Sequence, residues 1–81
     1  MGDDMRARAL HEIAAEIRND WKNVHFAAAP YLEAMGTLRT VDESFGYDSG
    51  KSIVLYFLSN ARGYRGETAK RVKAELKAMV K

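Results

Sequence analysis

Ser52-Ile53-Val54-Leu55-Tyr56-Phe57-Leu58-Ser59-Asn60-Ala61 decides how the chain is read. Six apolar residues stand together from Ile53 to Leu58, the densest such run in the sequence. A surface helix carries one apolar stripe and a half-buried strand alternates. This run does neither, so it is expected to be covered on most sides. Ile, Val, Tyr and Phe favour strands. No second β-like run offers a partner, and Ser52 to Arg62 is long enough for three helical turns. The run is therefore read as the central helix of a small bundle, with the other segments packed on it.

Working outward, each flank supplies an apolar stripe at helical spacing. Leu10, Ile13, Ala14, Ile17, Trp21 and Val24 recur at steps of three and four, which builds one buried face. Asp3 or Asp4 can cap this helix at its start. Its end falls near Asn19-Asp20 or runs on toward Phe26, because Ala29 precedes Pro30 and is biased out of helix. Pro30 suits the first position of a second helix, with Leu32, Met35, Leu38, Val41 and Phe45 as its stripe. Gly46 is expected to end that helix in a left-handed conformation, with Tyr47 as a hydrophobic clasp. Gly63-Tyr64 repeats the pattern after the central helix. Asp48 or Ser49 caps the central helix, and Gly66 opens a last helix with Ala69, Val72, Leu76, Met79 and Val80 inward. Glu67 precedes Arg71 by four residues, the favourable order for a helix pair. The predicted fold is all-α, a compact four-helix bundle forming one domain over 1–81, with helices at about 4–20, 30–45, 49–62 and 66–80.

Bulk composition narrows the function classes. The chain has 81 residues and no cysteine, which excludes disulfides and thiolate metal sites. The start, Met1-Gly2-Asp3-Asp4-Met5-Arg6, lacks a basic segment followed by an apolar one, so it is not read as a signal peptide. No run approaches the ~20 apolar residues that cross a bilayer. A soluble intracellular protein is expected, without a membrane partner. The net charge of +2 is unevenly placed. Residues 1–48 carry five Arg/Lys and nine Asp/Glu, whereas residues 49–81 carry eight and two. The C-terminal third is thus expected to present a basic face.

Candidate chemistry is sparse. Gly46-Tyr47-Asp48-Ser49-Gly50-Lys51-Ser52 superficially resembles a phosphate-binding loop. It has three residues where that loop needs four before Gly-Lys-Ser, and no strand precedes it. His11 and His25 are the only imidazoles, lie 14 residues apart and show no metal-ligand spacing. Ser49, Ser52 and Ser59 have no partner that would mark a nucleophile. No catalytic, cofactor or metal residues are assigned, and no enzyme is expected.

Two surfaces remain. Lys70, Lys73, Lys77 and Lys81 share one face of the last helix, with Arg62, Arg65 and Arg71 near its start and Tyr64 between them. Such a face can hold phosphates by charge, and helix, short turn and helix resembles a helix-turn-helix. Glu67 and Thr68 are poor base readers at the place such a reader needs one. Lysine as a solubilising helix former is the plainer account. The second surface is aromatic. Trp21, Phe26, Tyr31, Tyr47, Tyr56 and Tyr64 are many rings for so small a domain. The surplus beyond the core, with Met35 and Met79, suits a groove or a dimer contact. Trp21, Tyr31, Tyr47 and Tyr64 are the candidate interface residues, and a homodimer would give so small a chain more burial.

Asp20-Trp21-Lys22-Asn23-Val24, Ala29-Pro30-Tyr31-Leu32-Glu33-Ala34-Met35, Asp48-Ser49, the run Ile53 to Ala61 and Arg65-Gly66-Glu67-Thr68-Ala69 together resemble short proteins of actinobacterial phages and prophages. The resemblance spans about Leu10 to Leu76. It implies an all-helical, phage-encoded protein acting in a host bacterial cytoplasm, with no assigned reaction and no catalytic residues to carry over. It favours binding of a host or phage protein over catalysis. The alternative is a small DNA-binding or regulatory protein using Arg62, Arg65, Lys70, Lys73 and Lys77.

Overall fold

The computed structural model describes residues 8–81. Its elements are α1 (Leu10–Asp20), α2 (Ala29–Met35), β1 (Ser44–Phe45), β2 (Asp48–Ser49), α3 (Gly50–Ser59) and α4 (Glu67–Met79). The chain is mostly helical, as the apolar spacing predicts, with one small antiparallel hairpin that the spacing does not show.

Helix α1 buries Leu10, Ile13, Ala14 and Ile17, its predicted stripe. It starts later than the predicted residue 4: Ala9 is extended, at φ −66° and ψ 146°. The caps expected from Asp3 or Asp4 lie outside the described residues. The first amides of the helix find other acceptors, as orphan donors must. Leu10 N–H donates to the Arg39 carbonyl at 2.9 Å and His11 N–H to the Leu38 carbonyl at 2.8 Å. The Glu12 carboxylate accepts the Ala9 N–H at 2.9 Å. Of the two predicted ends, the nearer one holds. The chain turns out at Trp21, whose side chain enters the core.

Helix α2 opens as Pro30 predicts but spans seven residues, not the predicted 30–45. Gly36 ends it, and the Thr37 hydroxyl donates back to the Ala34 carbonyl at 2.8 Å. The segment from Leu38 to Glu43 then serves two other helices. Its carbonyls at Leu38 and Arg39 cap α1, while those at Val41 and Glu43 accept from Lys51 N–H (3.0 Å) and Gly50 N–H (2.6 Å) at the start of α3. A helix continuing to residue 45 would have spent the Leu38, Arg39 and Val41 carbonyls internally.

Ser44 pairs with Ser49 and Phe45 with Asp48 in the hairpin. Gly46 has φ 65° and Tyr47 does not have a positive φ, the pattern of a two-residue type II′ turn. Gly46 is left-handed as predicted, but it closes a hairpin rather than a helix. Tyr47 is fully exposed and clasps nothing. The parallel drawn with Gly63-Tyr64 also fails, because Gly63 is not left-handed and Tyr64 is buried.

Ser49 caps α3, its hydroxyl accepting the Ser52 N–H at 3.1 Å. Gly50, Ile53, Val54 and Phe57 of α3 are buried, but Leu55 and Tyr56 remain 44% and 49% exposed. The six-residue run is therefore one buried stripe with an open flank, not a helix covered on most sides. Helices α1 and α3 each pack on both α2 and α4. Gly66, at φ 113°, leads into α4, which buries Ala69, Val72 and Leu76 as predicted. One cluster of buried side chains draws on all four helices, with Met79 and Val80 packed at its margin. Among the described residues, no helix is long and apolar enough to cross a membrane.

Candidate functional site

Large side chains that the core leaves uncovered define the first surface. Tyr31 of α2 and Tyr56 of α3 meet across the seam between their helices, with ring centroids 5.4 Å apart. Leu55 adjoins Tyr56, and the hairpin that leads into α3 carries half-exposed Phe45 and fully exposed Tyr47. Phe26, 83% exposed, stacks on His25 at 4.8 Å in the loop before α2. Of the four rings predicted for an interface, Tyr47 is fully exposed and Tyr31 is half-buried at the edge of the core. Trp21 and Tyr64 belong to the core instead. Their rings stack at 5.1 Å and 17°, and Trp21 meets Phe57 edge-on at 6.3 Å, a favoured aromatic geometry. Sequence reasoning assigned Phe45 to the stripe of the second helix and Leu55 to a run covered on most sides. Leu55 and Tyr56 could have been found by their angular offset from Ile53, Val54 and Phe57 on a helical wheel.

Tyr64 also carries a buried hydroxyl with no hydrogen-bond partner among the described residues. Burial, foremost, holds its pKa above the ordinary value; the nearby Asp20 carboxylate adds to this without a hydrogen bond of normal geometry.

The second surface is basic. Arg62, Arg65, Lys70, Lys77 and Lys81 are exposed, and none forms an ion pair among the described residues. Lys73 is different. Its ammonium donates to the Tyr64 carbonyl at 2.6 Å and lies 5.8 Å from the centre of the Tyr64 ring. Burial, then repulsion from Lys77 and Arg65, lowers its pKa.

Arg71 leaves the basic face for a charge ring. Arg8 holds Glu75 through two hydrogen bonds of 2.7 and 3.0 Å. It also reaches Glu16 at 2.8 Å, at an angle too poor for a hydrogen bond. Arg71 bonds the other Glu16 oxygen and lies 4.0 Å from Glu75. The Glu67–Arg71 pair expected from spacing is replaced by these partners. Arg71, then Arg8, hold the Glu16 carboxyl below its ordinary value. Hydrogen bonding to Glu75 is the largest of the effects that raise the Arg8 pKa.

The residues weighed for catalysis serve the backbone or lie apart. In the Gly46–Ser52 stretch, the amides of Gly50, Lys51 and Ser52 already donate to Glu43, Val41 and Ser49, so they are not free to cradle a phosphate. Ser59 donates to the Leu55 carbonyl at 3.1 Å. His25 Nδ1 accepts the Ala27 N–H at 3.0 Å, and His11 is exposed on α1. Among the described residues, no group of three or more His, Cys, Asp or Glu could hold a metal ion. Compared with protein-family models, curated proteins and solved structures, the chain matches none.

Proposed function

We propose that this chain is a non-enzymatic, phage-type protein that binds a host or phage protein in the bacterial cytoplasm. The observation that carries the reading is the open flank of α3 with its neighbours: Leu55, Tyr56 and Tyr31 at the helix seam, Phe45 and Tyr47 in the adjoining hairpin. Aromatic side chains are enriched at interfaces, where a few anchors carry most of the binding energy. These rings leave water only if something covers them. The helices are already held by one shared core, so the exposed flank is free to serve a partner. The resemblance to actinobacterial phage and prophage proteins supplies the setting.

Affinity capture from bacterial lysate, comparing the native chain with the Tyr47→Ser, Leu55→Ser double variant, tests the reading. A protein retained by the native chain and lost with the variant is the expected result. The same captured set with both chains, or a blank at every salt concentration, would count against it. Light scattering of the purified chain separates a second copy from a foreign partner.

A further inference from the structure

We propose that the outer edge of α4, with the turn before it, is a second binding surface that takes the phosphate backbone of duplex DNA without reading its sequence. Helix α4 divides into three strips. Ala69, Val72 and Leu76 enter the core. Arg71 and Glu75 face α1 and are neutralised there by Glu16 and Arg8. The remaining strip is Lys70, Lys73, Lys77 and then Lys81, at steps of three, four and four. At about 1.5 Å per residue its helical part, Lys70 to Lys77, runs about 10 Å, and Lys81 lies just past the helix end. Arg62 and Arg65 continue it into the preceding turn.

Three observations favour phosphate. First, the cations on this strip are unpaired among the described residues, whereas Arg71, on the α1-facing side of the same helix, is paired with Glu16. The contrast lies within one helix, so it is not a general excess of base; the whole chain has a net charge of only +2. Second, Lys73 is fixed by the Tyr64 carbonyl and repelled by Lys77 and Arg65, with no carboxylate among the groups acting on it. The fold thus holds a positive charge in place, and Arg62, Arg65, Lys70 and Lys77 surround it as mobile ones. An anion with many closely spaced charges relieves that repulsion, and a duplex offers one charge per about 1.7 Å. Third, Tyr64, the one ring in this region, is buried against Trp21. The surface has no stacking platform of the kind single strands use. Exposed Glu67 and half-buried Thr68 in the first turn of α4 lack the bidentate reach that reads base edges. Duplex backbone is what remains.

Fluorescence anisotropy with a labelled duplex of about 20 base pairs of arbitrary sequence tests this, with the matching single strand and polyglutamate as competing probes. Four mobile cations predict that duplex affinity falls roughly a hundredfold between about 50 and 200 mM salt. In the Lys70→Gln, Lys77→Gln double variant two contacts are lost, and the fall should shrink to roughly tenfold. Both lysines are exposed, so the variant's circular dichroism should match the native chain. The Tyr47→Ser, Leu55→Ser variant should keep native duplex binding, which separates this surface from the protein-docking one. No duplex binding at low salt, an unchanged salt dependence in the lysine variant, or a preference for the single strand would each overturn the proposal. Equal binding of polyglutamate would overturn it too, in favour of an acidic protein partner.

Discussion

Gly50 has no room for a methyl group. A Cβ built there would lie 2.8 Å from the Val41 Cα, 2.9 Å from the Thr40 carbonyl oxygen and 3.0 Å from the Val41 carbonyl carbon. All three are backbone atoms, so no rotamer change can make space. Helix propensity alone predicts that Gly50→Ala, at the first position of α3, is stabilising by at most about 1 kcal/mol. The close approach predicts the opposite sign, a loss of about 1–3 kcal/mol, as overpacking costs elsewhere. Urea denaturation decides between them, and a gain in stability would show that the crossing of residues 40–41 over α3 is wrongly placed. Residues whose roles are local could be read from sequence: Ser49 as a cap, Pro30 at a helix start, Gly66 before α4. The requirement at Gly50 could not, because it is imposed by a segment nine residues earlier in the chain. Gly46-Tyr47 and Gly63-Tyr64 teach the same lesson. The dipeptides are identical, yet one tyrosine is bathed in water and the other is sealed against Trp21. Only the surrounding fold distinguishes them.

Among the elements, the stripes of α1 and α4 were legible because each is long enough to show its period. Helix α3 was found but its exposure was misjudged: six consecutive apolar residues hide the angular pattern that separates Phe57 from Leu55. The hairpin was missed because two-residue strands carry no alternation to detect. The candidate surfaces followed suit. The basic strip was legible from the spacing of lysines, whereas the pinning of Lys73 and the diversion of Arg71 depend on Tyr64 and Glu16, far away in sequence. The ring of Arg8, Glu16, Arg71 and Glu75 fastens the start of the described chain and α1 to α4, and its pH response follows from Glu16. The folded fold's grip on the ionised carboxylate lowers the Glu16 pKa below its ordinary value of 4.5. The unfolded chain therefore takes up the proton first as pH falls. The stabilisation is complete above the ordinary value and is lost as pH drops through the folded one. Glu16→Gln should reduce stability at neutral pH by up to about 1 kcal/mol, the modest range of exposed pairs, and less in high salt. At a pH below the folded carboxyl's titration, native and variant denaturation midpoints should converge. A difference that persists there would mean that Glu16 acts through packing rather than charge.

For the molecule as a whole, the decisive feature is that one apolar cluster serves every helix. Helices α1 and α3 each contact α2 and α4, and Trp21, leaving the end of α1, stacks on Tyr64 between α3 and α4 and meets Phe57 of α3. No helix can withdraw without exposing side chains that the others bury. A domain of this size has a total stability of about 4–12 kcal/mol, too little to sustain a half-folded core after such a loss. Unfolding should therefore be all-or-none. Trp21 is the only tryptophan, so its fluorescence reports the junction of α1, α3 and the turn before α4, while far-ultraviolet circular dichroism reports all four helices at once. The two signals should fall along one curve in urea, with the same midpoint and slope. If helicity outlasts the tryptophan signal, some helices hold without the shared cluster. The buried faces would then be only loosely committed to the core, and the boundary between core and open flank along α3 would have to be drawn again.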